Sequence, residues 1–492
     1  MDMRLLKGGS SVQAFDYSNA NNMGVRPYGV LITLAMILNT LIGTGCFGLP
    51  YAFASAGIGL TSTLLLLGTL GSLVTVNYTL EAMARAEGIL AAKSSSPTNS
   101  SQTTSIPTHC LTYRRINFSS IGKIFAGSVG YNVVQVSLLL YSFGSLWSYA
   151  SIFASSTASM FFTYALHDSC DVYSTAASAA CVHSYYVSMV LFSALVVAFV
   201  LMDMGEQASI QKFLTIYRIL ALFLMVLTMA IKLSSDGWNV VQARLETRGA
   251  WGFNAHHFAL AFGATILALN CHHNMPDLMQ PLSSKGLARE VAFAGMAISC
   301  VFYFLVGVLG ALAFDTVNPL ASLMWSDFSG CGNGWTACPT GAPTWLGSLV
   351  HIVVIMFPVV NVVSTYPIAG VTVGANILTS LPKSITAPLG PAASVRVARM
   401  LATIPPLVMA ALFKKLDAIF TIAGLFGFAI GLVVPCWFQV IGIKYCRRHF
   451  GPTDDAAATP YSLPCLSSIE TASVMLVLML ATTCVAVLSI IY

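Results

Sequence analysis

Charge is what this sequence most lacks. Asp, Glu, Lys and Arg make up 8% of 492 residues, where a soluble domain carries roughly 25%. So few charges cannot cover a water-facing surface on a chain this long. No nucleophile–base set or metal quartet occurs at a workable spacing, which argues against an enzyme, and nothing points to a nucleic-acid partner. Acids are also missing from the middle of the apolar runs: Asp203, Glu206, Asp277, Glu290 and Asp417 fall at run ends, and Glu81 lies at the cytoplasmic end of one. A site for lysine, arginine or a polyamine would place a carboxylate at mid-membrane, so the pattern favours a neutral solute.

What is present is apolar sequence. Hydrophobic residues reach 56% and mean hydropathy is +0.78. Runs of about 20 apolar residues mark an all-α integral membrane protein. Eleven spans are expected, at 28–53, 59–83, 130–163, 185–202, 213–233, 256–276, 290–313, 345–371, 397–413, 417–441 and 470–491. Pro405 and Pro406 are expected to kink the ninth. The opening MDMRLLKGGSSVQAFDYSNANNMGVRP is polar for too long to be a cleavable signal peptide. The domain reading is a cytoplasmic tail (1–27), a ten-span core (28–441) with a flexible insert at 86–120, a cytoplasmic linker (442–469) and an appended eleventh helix (470–492).

Loop charges orient the chain. With the N-terminus in the cytoplasm, 18 of the 23 Lys and Arg residues fall on that side, among them Arg4, Lys7, Arg26, Arg85, Lys93, Arg114, Arg115 and Lys123. Lys232, Arg244, Arg248, Lys414 and Lys415 fall opposite. Two cysteine pairs, Cys170 with Cys181 and Cys331 with Cys338, each share an external loop, where a bridge or free thiols both fit. The sequons at Asn99 and Asn117 fall on the cytoplasmic side and are read as unused. The Ser/Thr/Pro-rich stretch 91–109 reads as a disordered insert.

The first span carries NTLIGTGCFGLPYAFASAG, residues 39–57. Three glycines and Pro50 interrupt a helix where oil should make it most regular. The sixth span, FALAFGATILALNCHHNMPDLMQPL, is interrupted in a comparable place, with Asn270 and Pro276 standing as Asn39 and Pro50 do. With five spans per half, the second half enters the membrane upside down. Interrupted helices at matching positions of two halves point to a transporter's binding site. A broken helix offers free N–H groups at one end, suited to a carboxylate, and free carbonyls at the other, suited to a cation or ammonium group. An α-amino acid carries both charges. GTGCFG also fits a dinucleotide fingerprint, but the flanking strand and downstream acid are missing. Close helix packing through glycine is the plainer alternative. His272 and His273 sit at the second break; neighbours on a helix point about 100° apart, so a polar cap or a proton-coupling role fits better than a metal site. His351 is a lone intramembrane histidine, and Arg218 could snorkel or pair with Glu206.

These two motifs together resemble the amino acid/auxin permease family of the amino acid–polyamine–organocation superfamily, over about residues 28–490. The CHHN segment is similar to that of its neutral amino acid permeases. The resemblance implies a LeuT-like five-plus-five inverted repeat with discontinuous first and sixth helices. It implies a secondary active transporter of amino acids, coupled to Na+ or H+, working by alternating access in the plasma membrane or a vacuolar or lysosomal membrane. A membrane-embedded amino acid sensor with little net transport is the alternative. By position, the substrate would be held at Gly43, Thr44, Gly45, Cys46, Asn270 and Cys271. The cation would be held at Asn39 and Ile42, completed from the eighth span by Asn361, Ser364 and Thr365. No other cofactor or metal is expected.

Overall fold

The computed structural model describes residues 27–95, 108–114, 116–166, 168, 170–174, 177–201, 207–248 and 252–491. Arg4, Lys7, Arg26, Arg115, Asn99, Asp203 and Glu206, which entered the reading above, lie outside the described residues. Every long element is a helix. They run α1 (Val30–Leu41), α2 (Leu49–Ala56), α3 (Ile58–Ser95), α4 (Phe118–Phe161), α5 (Ala179–Leu201), α6 (Gln207–Asp236), α7 (Trp238–Arg248), α8 (Phe258–Leu269), α9 (Met275–Met279), α10 (Ala288–Ala313), α11 (Trp345–Ser380), α12 (Lys383–Leu412), α13 (Leu416–Phe428), α14 (Val434–Phe450) and α15 (Ile469–Ile491). Among the described residues, nine helices are long and apolar enough to cross a membrane; α1 with Gly45–Ala56, bent by 47°, makes a tenth.

The helices overlie the expected spans, with three differences. First, residues 86–95 and 118–120, expected within a flexible insert (86–120), instead continue α3 and open α4, which leaves helical geometry at Ala126 and Gly127. A helix of 38 residues is about 57 Å long, against about 30 Å of hydrocarbon, so the last turns of α3 project beyond it. Second, α12 begins at Lys383, ahead of the expected 397, and carries a break at Gly390, whose φ of 72° suits glycine, while Pro405 and Pro406 lie inside the helix. Third, α7 forms in a stretch expected to be loop.

Contacts between loops sort them onto two ends. At one end Asn254 donates to Ala56 O at 2.9 Å, Asn318 to Asp171 at 2.8 Å, and Arg244 pairs with Asp236 and Asp315. These are the loops expected outside. Both cysteine pairs lie there and both are bridged, Cys170 to Cys181 and Cys331 to Cys338. A short 3-10 turn, Ala321–Trp325, tucks into this end. Trp325 is fully buried, its indole N–H donates to Thr228 at 3.1 Å, and the rings of Phe314 and Trp335 pack edge-on to it.

At the other end the chain from Phe450 to α15 crosses the projecting tip of α3. Glu81 and Arg85 form a fully buried ion pair at 2.6 Å. Asn77 and Gln439 also donate to Glu81, and Arg85 donates to Gln439 and to Ala457 O. Ser467 donates to Glu81 as well. A buried charge pair survives only when its remaining valences are filled in this way. His109, buried beside it, meets Ala456 O at 3.0 Å. Burial, with a smaller push from Arg85, holds its imidazole below the ordinary range.

Candidate functional site

The helix interruptions come where the glycines and polar residues stand. Helix α1 ends at Leu41; Ile42 (φ −75°, ψ 70°) and Gly43 (φ −112°, ψ −146°) leave helical geometry, and a 3-10 turn, Thr44–Gly48, leads into α2. Pro50 sits in the first turn of α2, where its missing N–H costs nothing. The second interruption repeats the pattern. Helix α8 ends at Leu269, Asn270 (ψ 109°) and Cys271 turn away, and a 3-10 turn, His272–Asn274, leads into α9 with Pro276 in its first turn. The interruptions meet. A β-carbon on Gly45 would stand 2.7 Å from Ala268 Cα, so only glycine lets the two main chains approach so closely.

Beside them lies a cavity of about 670 Å³, walled by α1, α4, α6, α9 and α11 and by the break after α8. Its lining runs from Asn39, Gly43 and Asn270 to Asn117, Asp277 and Asn376 at the end expected to be cytoplasmic. The expected site residues divide. Asn39, Gly43, Asn270, Asn361 and Thr365 line the cavity. Gly45, Cys46 and Cys271 are buried away from it. Cys46 donates its thiol to Gly43 O and Cys271 packs against Met296. Ile42 and Ser364 are likewise not in the wall, and Thr44 contributes its backbone to the 3-10 turn.

Several polar groups at the wall are buried without a partner. Both atoms of the Asn361 carboxamide are so placed, as are Asn270 Oδ1 and His273 Nδ1. Each such group costs about 1–3 kcal/mol unless something binds it. Ser364 and Thr365 both donate to Asn361 O at 2.8 Å. Asn270 donates to Gly427 O at 3.2 Å. A π-turn, Ala429–Val433, lies beside this break; a β-carbon on its Gly431 would stand 3.0 Å from Asn270 Oδ1. Such turns gather at functional sites. The two histidines part as expected of neighbours. His272 meets Thr75 Oγ1 at 2.9 Å and Ser72 O at 3.3 Å, while His273 lies in the cavity wall, edge-on to Tyr141. His351 packs against Tyr164 away from the cavity. No group of three or more metal-ligating side chains occurs among the described residues.

Two side chains matter that sequence reasoning placed wrongly or missed. Arg218, expected to snorkel or pair with Glu206, turns inward, is 4% exposed and lines the cavity. Its Nη1 donates to Asn39 O at 2.7 Å and also to Asn39 Oδ1. Tyr303 of α10, fully buried, directs its hydroxyl to both Leu41 O at 2.5 Å and Ala268 O at 2.8 Å. An arginine in an otherwise apolar span was the one available signal; Tyr303 gave none.

The chain is similar to proteins called Transmembrane protein 104. The homolog from Caenorhabditis elegans is 24% identical over 72% of this chain and 69% of its own length. That from Drosophila melanogaster is 23% identical over 86% and 90%, and the Homo sapiens protein 22% over 86% and 88%. Among solved structures, the LeuT-fold transporter MhsT, solved in complex with L-phenylalanine, superposes with a TM-score of 0.57 at 11% identity, over 92% of this chain and 98% of that one. This likeness speaks to the fold. The family model for transmembrane amino acid transporter proteins matches residues 26–479, so this multi-pass membrane chain belongs to that family of transporters, the amino acid/auxin permeases, and not to the enzymes.

Proposed function

We propose that this protein is a secondary active transporter of neutral amino acids. It has eleven spans in a five-plus-five inverted repeat and works by alternating access, in the plasma membrane or a vacuolar or lysosomal membrane. The carrying observation is the cavity that reaches both helix interruptions. Its volume suits a small solute. The Gly43 N–H is taken by Leu41 O, so it is the head of the 3-10 turn after it that would offer main-chain N–H groups to a carboxylate. The unpartnered Asn361 carboxamide offers a donor and an acceptor, and Asn270 Oδ1 an acceptor, to the rest. Arg218 in the wall disfavours a cationic solute, and the lining acid, Asp277, belongs to the turn of α9 beyond the break.

Because the lining reaches Asn117, Asp277 and Asn376 at the end expected to be cytoplasmic, we read this as the inward-facing form. At the opposite end the Ala321–Trp325 turn is buried, with a second cavity of about 660 Å³ beside it. Alternation would close the Asn117–Asp277–Asn376 mouth and lift that turn. The parallel between α1–α2 and α8–α9, each a helix, a two-residue break, a 3-10 turn and a proline-led helix, supports paired halves.

Uptake of labelled amino acids into reconstituted vesicles, under an imposed sodium gradient and separately an imposed pH gradient, tests the reading. Accumulation of neutral amino acids is expected. Arginine outcompeting every neutral amino acid would overturn the substrate class. Saturable binding with no accumulation under either gradient would favour the sensor alternative.

A further inference from the structure

Helix α4 is not one rod. Ala126 (φ −130°, ψ 17°) and Gly127 (φ 63°, ψ −146°) leave helical geometry inside it. They set off a stub, residues 118–125, from a shank that begins at Ser128. The angles of Gly127 lie at the edge of a region that only glycine enters freely. A β-carbon there would meet nothing within 4 Å. Gly127 is therefore needed for its backbone angles and not for room.

Stub and shank hold to different parts of the molecule. Just ahead of the stub, Ile116 O accepts from Gln280, the residue after α9, at 3.0 Å. Within it, Phe118 and Phe125 pack on Phe438 of α14, with ring centroids 5.1 and 6.5 Å away, and Phe125 also meets Tyr445. Helix α14 is in turn fastened to α3, where Gln439 joins the Glu81–Arg85 pair. The shank holds to α11 instead. Gln135 donates to Asn376 O at 2.7 Å, and the hydroxyls of Tyr131 and Thr379 share a hydrogen bond at 2.8 Å. The cavity mouth draws on both groups. Of its lining, Asn117, Phe118, Ser119 and Asp277 go with the stub, and Thr372 and Asn376 with the shank. Between the groups, the α4 chain passes through the two non-helical residues. Hinges are a few such residues that absorb a change of φ and ψ between bodies that stay rigid.

We propose that Ala126–Gly127 is a hinge, and that the cytoplasmic mouth closes when the stub, carried by α9 and α14, turns about it toward α11 while the shank stays in place. This rests on the transporter reading for why the mouth must close.

The test uses the full-length protein in lipid vesicles, with the accessible thiols Cys110, Cys300, Cys465 and Cys484 changed to serine. Spin labels are placed through Ser380→Cys on α11 and either Lys123→Cys on the stub or Val133→Cys on the shank, all exposed positions. Distance distributions are recorded without solute and with a mixture of neutral amino acids. The stub pair is expected to show two populations whose ratio shifts with the mixture, and the shank pair one population that does not move. A single unchanging population for both pairs would overturn the hinge. So would two pairs that change together, because α4 would then move as one rod.

Gly127→Ala has room for its β-carbon but resists these backbone angles. It is expected to leave the stub pair with one population and to slow uptake of labelled neutral amino acids by about tenfold. A folded Gly127→Ala protein with both populations and unchanged uptake would overturn the proposal; if the variant does not fold, the two pairs in the protein that keeps Gly127 decide. Vesicles that take up no amino acid even with Gly127 in place would overturn the transport reading, and the distance pairs would still decide on the hinge.

Discussion

Gly45 and Ala268 touch main chain to main chain. A β-carbon added at Gly45 would sit 2.7 Å from Ala268 Cα and 2.8 Å from Ala268 N, whereas one added at Gly43 meets nothing nearer than 3.9 Å. The two glycines of one motif therefore do different things: Gly45 sets how closely the interrupted helices approach, and Gly43 forms cavity wall. Gly45→Ala is expected to lower stability by about 1–3 kcal/mol, the range for overpacking, and to abolish most transport. Gly43→Ala should leave stability within about 0.5 kcal/mol while weakening substrate affinity. Thermal unfolding and uptake kinetics on the pair check this; equal effects on stability would refute the division.

Tyr303→Phe keeps the ring and removes the proton shared by Leu41 O and Ala268 O. Leu41 O keeps the Gly43 N–H, but Ala268 O loses the hydroxyl, which should cost about 1–3 kcal/mol. Uptake should fall as the two interruptions lose their common tie. Unchanged unfolding and unchanged uptake together would show that the hydroxyl contributes nothing.

Asn361 presents a carboxamide with neither atom partnered, at the cavity wall. If it meets the substrate, Asn361→Ala should raise KM by about tenfold, one hydrogen bond's worth. Stability should hold or improve, since an orphaned polar group is removed. A variant with lower stability and unchanged KM would make Asn361 a packing residue.

Glu81→Gln would strand the Arg85 guanidinium with no countercharge in a fully buried place. Breaking such a pair costs about 3–5 kcal/mol. The loss should be visible as early release of the 451–468 linker, read by limited proteolysis. Intact protection would mean that the other hydrogen bonds suffice.

His109 gives stability a pH dependence of fixed sign. Its folded pKa is depressed by burial, so the unfolded chain takes up the proton first. Its contribution is full above the free imidazole value of about 6.5 and is lost as pH falls from there toward the folded value. The unfolding midpoint should drop on acidification from neutrality, and His109→Gln should flatten that drop. An identical pH profile in the variant would clear His109 of the effect.

The fold was legible because its signals are long and repetitive. Runs of twenty apolar residues, two glycine- or polar-interrupted spans and an uneven count of Lys and Arg carry the helices, the interruptions and the two ends. The site was legible only by place. Asn39, Gly43, Asn270, Asn361 and Thr365 are at the wall, but Gly45, Cys46, Cys271, Ile42 and Ser364 are not. The reason is angular: a broken helix turns each successive residue to a new direction, and sequence does not state which. Arg218 was misread because its partner is a main-chain carbonyl 179 positions away, and carbonyls leave no letter in a sequence. The same holds for Tyr303.

The ring nest around Trp325 has a practical consequence. Its indole is fully shielded, hydrogen-bonded to Thr228 and flanked by Phe314 and Trp335. If the outer end parts during the cycle, this fluorophore passes from oil-like surroundings into water, and its emission should shift to longer wavelength. With the other six tryptophans replaced, the molecule would carry its own optical gauge of which way it faces, readable without any attached dye.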